Sequence, residues 1–191
     1  IELETRHDLA AFVRNLEENI GEAGKWIHFG VTSYDVIDTA LGMMLRDSCD
    51  VMLDSARGLR AEIKRRGEEH TDTPMIGRTH AIHAEPITFG FKCASWAREL
   101  ERNIERLEGM RETVAFGKIS GAVGIHAHVD PAMEANICAR LGLKPEPIST
   151  QIINRDRPGD FLNWLALVGG GCERIATERR PLQRTEVLDV Q

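Results

Sequence analysis

Between Thr32 and Arg66 the chain keeps a helical stripe with no proline to break it: Ile37, Leu41, Met44, Leu45, Met52, Leu53, Ala56, Leu59 and Ile63. At ~1.5 Å per residue that segment predicts a helix roughly 50 Å long. Helices of this length belong to extended bundles or coiled coils rather than compact α/β domains, so the stripe narrows the fold before any other feature is considered. Thr32 followed by Asp35 has the capping-box spacing at its start, and Asp38 adds negative charge near the same end.

The remaining segments agree. Asp8 is the expected cap of LAAFVRNLEENI, which ends at Gly21; its apolar stripe is Leu9, Phe12, Val13, Leu16 and Ile20. TDTPMIGRTHAIHA interrupts the pattern, and Pro86 is expected as the first residue of a helix of about thirty residues carrying Ile87, Phe91, Ala94, Ala97, Ile104, Leu107 and Val114. Asp130-Pro131 starts a short helix that ends at Gly142. A last helix begins near Pro158 and runs past Pro181 with a kink there. Gly169, Gly170 and Gly171 within it predict an interruption or a closely packed backbone. No stretch alternates clearly enough to predict a sheet. The expected fold is mostly α, with long antiparallel helices, and the chemistry-bearing segments (RHD, HFGVTS, GRTHAIH, SGAVG and TQIINRDR) fall in the breaks between them.

A length of 191 residues suffices for one sizeable core, and a net charge of −6 with no dominant Lys/Arg block argues against coating nucleic acid. Local arginines still suit an anionic small substrate. Cys49, Cys93, Cys138 and Cys172 form no CxxC pair, so neither a disulfide framework nor a zinc cluster is indicated and a reducing cytoplasm is expected. No apolar run reaches membrane-spanning length. Ile1 is not methionine and RTEVLDVQ holds no terminating Gly or Pro, so the chain reads as an internal piece of a longer protein.

His80, His83 and Glu85 raise the question of a metal site. His83 and Glu85 are two apart, so the three cannot share one helical face, and no HExxH motif occurs. An acid–base role for His80, beside Arg78, needs only one histidine titrating near neutrality. Capping by His80 and gap-filling by His83 stay open on spacing alone. Arg6, His7 and Asp8 read equally as a helix start. Thr32 and Ser33 read as a cap, or as a helix end suited to a carboxylate or phosphate.

Five segments in order, TRHDLAAFVR, KWIHFGVTSYDVIDTAL, GRTHAIHAEPITFGFK, SGAVG and ISTQIINRDR, resemble the adenylosuccinate lyase family of the fumarase/aspartase superfamily. The resemblance covers nearly the whole chain. It implies a helical-bundle lyase forming a homotetramer, each active site built from three subunits, that releases fumarate by β-elimination with no metal or organic cofactor. It implies His80 as the proton donor, His7 and His28 as supporting histidines, and Arg6, His7, Asp8, Thr32, Ser33 and Gln151 as substrate contacts. Residues 1–30 would end an N-terminal helical domain and residues 31–191 would be a central bundle domain. The family's base, a serine on a loop with a Met-Pro-x-Lys core, has no counterpart here. Pro158 and Ile125-His126 depart from the family's usual residues. Other fumarate-releasing lyases of the superfamily and a non-catalytic helical module are the competing readings.

Overall fold

The computed structural model describes residues 1–190. Six α-helices and two small two-stranded sheets follow in the order α1 (Glu2–Thr5), α2 (Asp8–Ile20), a 3₁₀ segment (Gly21–Trp26), α3 (Ser33–Glu69), β1 (Pro74–Thr79), β2 (Ile82–Thr88), α4 (Phe89–Val114), β3 (Phe116–Gly117), α5 (Pro131–Arg140), β4 (Lys144–Pro145) and α6 (Asp156–Leu182). The mostly helical expectation holds, and α3 runs its full 37 residues. Among the described residues, no helix is long and apolar enough to cross a membrane.

Chain contacts separate two compact units, Ile1–Asp47 with Thr113–Arg157 and Ser48–Glu112 with Pro158–Gln191. In the second, ion pairs record how the helices run. Asp50, Arg57 and Arg60 of α3 meet Arg111, Glu108 and Glu101 of α4, so rising numbers on one helix meet falling numbers on the other. Between α4 and α6 the same inversion appears: Asn103 accepts from the Trp164 indole at 2.8 Å, Glu99 pairs with Arg174, and Lys92 pairs with Glu178. Both neighbours are antiparallel. Leu53, Ala56, Cys93, Trp96, Leu100, Leu107, Phe161 and Trp164 are buried along these helices.

In the first unit, a smaller core of Ala115, Cys138 and Leu143 gathers Met43 and Leu141. A side chain on Gly42 would place its Cβ 2.0 Å from the Phe116 carbonyl oxygen, so α3 and β3 meet backbone to backbone only because residue 42 lacks one. β3 pairs in parallel with β4, bringing residues 115–117 beside residues 144–146.

Four local expectations change. His7 rather than Asp8 caps α2, its Nδ1 accepting from the Ala10 amide, while Asp8 bonds the Leu9 amide from the first helical position. Pro86 lies in β2, opposite Ile76, and α4 begins at Phe89, where the Thr88 hydroxyl accepts the Phe91 amide. GRTHAIHAEPIT is therefore a β-hairpin. Finally, α6 passes through Gly169–Gly171 unbroken and stops one residue after Pro181; a Cβ on Gly171 would meet the Glu99 carboxylate, whereas Gly169 and Gly170 face open space.

Candidate active site

Helix α3 opens with Ser33, and its first two turns point two carboxylates inward, Asp35 and Asp38. Asp35 is fully buried, and its Oδ2 accepts the Thr32 amide at 2.8 Å, the returning arm of the capping box. The same oxygen accepts the Gly121 amide at 3.1 Å, and Oδ1 is paired with the ammonium of Lys118, also fully buried. Lys118 Nζ donates further to the Gly121 carbonyl at 3.1 Å. One turn on, Thr39 Oγ1 accepts the Lys118 amide and donates to the Lys118 carbonyl, both at 3.0 Å. These bonds tie residues 118–121 to the start of α3.

Asp38 does the same for a second loop. Its carboxylate accepts the Ile153 amide at 2.7 Å and both Arg155 terminal nitrogens, at 2.8 and 3.0 Å. Arg155 also donates to the Ile153 carbonyl at 2.9 Å, closing the segment that follows Gln151. The two loops then touch each other. Ser120 and Ser149 hydroxyls stand 2.9 Å apart, and a Cβ on Gly124 (φ +80°) would lie 2.1 Å from the Ser149 carbonyl oxygen. A Cβ on Gly30 would lie 3.0 Å from the His128 Cβ, a looser approach. Segments 27–32, 118–130 and 149–155 thus converge around the α3 N-terminus.

His28, Thr32 and Ser33 are half-buried and Gln151 is exposed in this cluster. Asp35 and Lys118 neutralise each other, as do Asp38 and Arg155, so the dipole of a 37-residue helix remains directed at Thr32 and Ser33. That arrangement favours an anion. Arg6, His7 and Asp8 stand at the joint between α1 and α2, where Arg6 adopts a left-handed backbone (φ 49°). His7 Nδ1 lies 3.3 Å from the Ala10 amide and 3.2 Å from Asp8 Oδ1, so both contacts are made through Nδ1 and Nε2 is left unengaged.

His80 belongs to the second unit. Thr79 pairs with Ile82, so His80 and Ala81 form a two-residue hairpin turn, with φ of 54° and 61°. Positive φ at both central positions is the type I′ pattern, ordinarily filled by Asn-Gly; holding it with other residues costs about 1–3 kcal/mol each. His80 is exposed, and its ring has no partner among the described residues. His83 lies opposite Arg78, on the strand rather than in the turn. Among the described residues no three His, Cys, Asp or Glu side chains gather as a metal set.

Sequence reasoning saw Asp35 only as the capping-box partner of Thr32 and Asp38 only as helix-end charge, and it gave Arg155 no partner. It missed Lys118. The available signal was Asp35, Asp38 and Thr39 at i, i+3 and i+4 on a face that should be apolar. A second missed pair is His126, whose Nε2 lies 3.5 Å from buried Glu134, while Glu134 also accepts the Ile119 amide at 2.7 Å.

The profile of a protein family described as Lyase matches residues 1–191. Adenylosuccinate lyases of Synechocystis sp. and Bacillus subtilis are 50% and 47% identical over 191 residues, all of this chain and 44% of each relative. The chain thus spans less than half the length of the curated relatives it matches. A fumarate lyase from Mesorhizobium sp. BNC1 superposes with a TM-score of 0.90 at 31% identity, over 97% of this chain and 44% of that one. The 3-carboxy-cis,cis-muconate lactonizing enzyme of Pseudomonas putida follows at 0.84 and 30%, over 93% and 41%. These structures share the helical fold.

Proposed function

The chain belongs to this lyase family, and on that premise we propose that the protein carries out a carbon–nitrogen β-elimination, releasing fumarate from adenylosuccinate to leave AMP, and from the related succinyl-aminoimidazole-carboxamide ribotide. The observation that carries the substrate assignment is the 50% identity with an adenylosuccinate lyase over every residue of the chain, set against 31% to the solved fumarate lyase and 30% to the solved muconate lactonizing enzyme.

The elimination needs three things: a base for the Cβ proton, a site that stabilises charge building on the adjacent carboxylate, and an acid for the departing nitrogen. His80 is the acid, protonating the leaving nitrogen from the hairpin tip. Thr32 and Ser33 hold a succinyl carboxylate at the α3 N-terminus, with Gln151 beside them on the loop that Asp38 and Arg155 fix. Arg6, His7 and Asp8 hold the nucleotide end, His7 through Nε2, and His28 supports the same wall. The base is not among these residues. No metal or cofactor is needed in this scheme.

A homotetramer completing its sites between subunits fits the apolar side chains left in water on long helices, among them Met44 and Val51 of α3, Phe91 of α4 and Leu162 of α6. Residues 1–30 would then close an N-terminal helical domain, with residues 31–191 in the bundle, and the enzyme would act in the cytoplasm. The test compares fumarate release by the full-length protein from adenylosuccinate and from argininosuccinate. Turnover of adenylosuccinate alone is expected; turnover of argininosuccinate alone would move the assignment to another branch, and turnover of neither would favour a non-catalytic assembly module.

A further inference from the structure

We propose that Ala81 is a positioning residue for His80: its left-handed backbone, rather than any side-chain partner, aims the imidazole. The proposal rests on the reading of His80 as the proton donor. Two observations combine. The His80 ring has no hydrogen bond or ion pair among the described residues, so nothing beyond its own backbone sets the direction of its Cα–Cβ bond. That backbone is one half of a two-residue turn whose other half is a non-glycine residue at φ 61°.

The strands are paired up to the turn on both sides, Thr79 with Ile82 and Arg78 with His83, so the ladder holds residue 81 in a conformation its methyl group disfavours. The common occupant of that position in a type I′ turn is glycine, which carries no penalty there. Alanine gives up that ease and gains a restriction. Its Cβ excludes most of the positive-φ region, so the peptide between residues 80 and 81 has one well to occupy. Glycine would lower the energy of the same turn and also open neighbouring wells, letting the peptide plane and the His80 side chain swing together. Strain at an exposed tip contributes nothing to folding, which points to its use in aiming.

The experiment uses the full-length protein with adenylosuccinate and the variants Ala81→Gly, His80→Gln and the double variant. For Ala81→Gly the thermal midpoint is expected to be unchanged or higher, with kcat reduced about tenfold or more and KM within about twofold, because an acid out of line weakens the chemical step and not binding. In the double variant residual turnover should equal that of His80→Gln, since an effect acting through His80 disappears with it. Wild-type kcat in Ala81→Gly, a further loss on top of His80→Gln, or a rise in KM in place of the fall in kcat would each overturn the positioning role. If His80→Gln itself keeps near-normal turnover, the reading of His80 fails first, and that result is distinct from a failure at Ala81.

Discussion

Removing the ammonium of Lys118 while Asp35 stays in place strands a carboxylate that has no solvent at all. Each is fully buried, and breaking one side of such a pair costs about 3–5 kcal/mol. Lys118→Met is therefore expected to lower the denaturation midpoint sharply, whereas Lys118→Met combined with Asp35→Leu should recover part of the loss; equal loss in both would refute the pairing. Stability recovered in the double variant should not restore activity, because Thr32 and Gly121 are still released. Arg155 is about half exposed but Asp38 is buried, so Arg155→Met leaves that carboxylate with only the Ile153 amide and is expected both to raise KM and to lower the denaturation midpoint, by less than Lys118→Met. Titration offers another check at this scale. Burial pushes the thiols of Cys49 and Cys138 up to about 11, with Asp50 and Glu134 adding to the effect. The unfolded thiols ionise near ~8.5, so the unfolded state gains ionisation that the folded state resists. Stability from this source is complete below that pH and is lost as pH rises toward 11. Denaturation midpoints should fall across that window, and less steeply in a Cys49→Ala/Cys138→Ala variant.

At the scale of elements, the helices were legible and the hairpin was not. Leu9, Leu16 and the Asp130-Pro131 pair mark their helices because one face is buried and one end is capped, both of which leave a trace in residue order. The hairpin leaves none. Of its thirteen strand residues only Met75 is buried, so no period of two was ever imposed on GRTHAIHAEPIT, and Pro86 is tolerated because each strand is an edge. For the same reason the turn at His80 and Ala81 could not be read from residue types that ordinarily avoid it. The converging loops were half legible: Thr32 and Asp35 were recognisable as a capping box, but the long-range half of that box, through Lys118 and Gly121, spans more than 80 residues of sequence. The prediction proper to this scale concerns Gly42. Alanine there would drive its Cβ into the Phe116 carbonyl, so Gly42→Ala should separate α3 from β3 and destabilise the first unit, by an amount comparable to overpacking elsewhere, about 1–3 kcal/mol. Hydrogen exchange would locate the change, with faster exchange at Lys144 and Glu146, whose amides bond Ala115 and Gly117.

For the whole molecule, the chain belongs to the lyase family, and the proposed activity of the full-length protein is to break the bond between the purine nitrogen and the succinyl carbon. Assembly belongs to the same scale. The proposed tetramer predicts that the full-length protein sediments as a single species of four subunits, and that a charge placed on an exposed apolar position such as Phe91 shifts it toward smaller species; a monodisperse monomer would contradict it. Neither observation reaches the chemistry. That is tested most directly by incubating the full-length protein with adenylosuccinate and measuring fumarate and AMP together. Equal amounts of the two products, abolished by His80→Gln with assembly intact, are predicted. Undiminished product formation in His80→Gln, or no fumarate from the unaltered protein, would contradict the account.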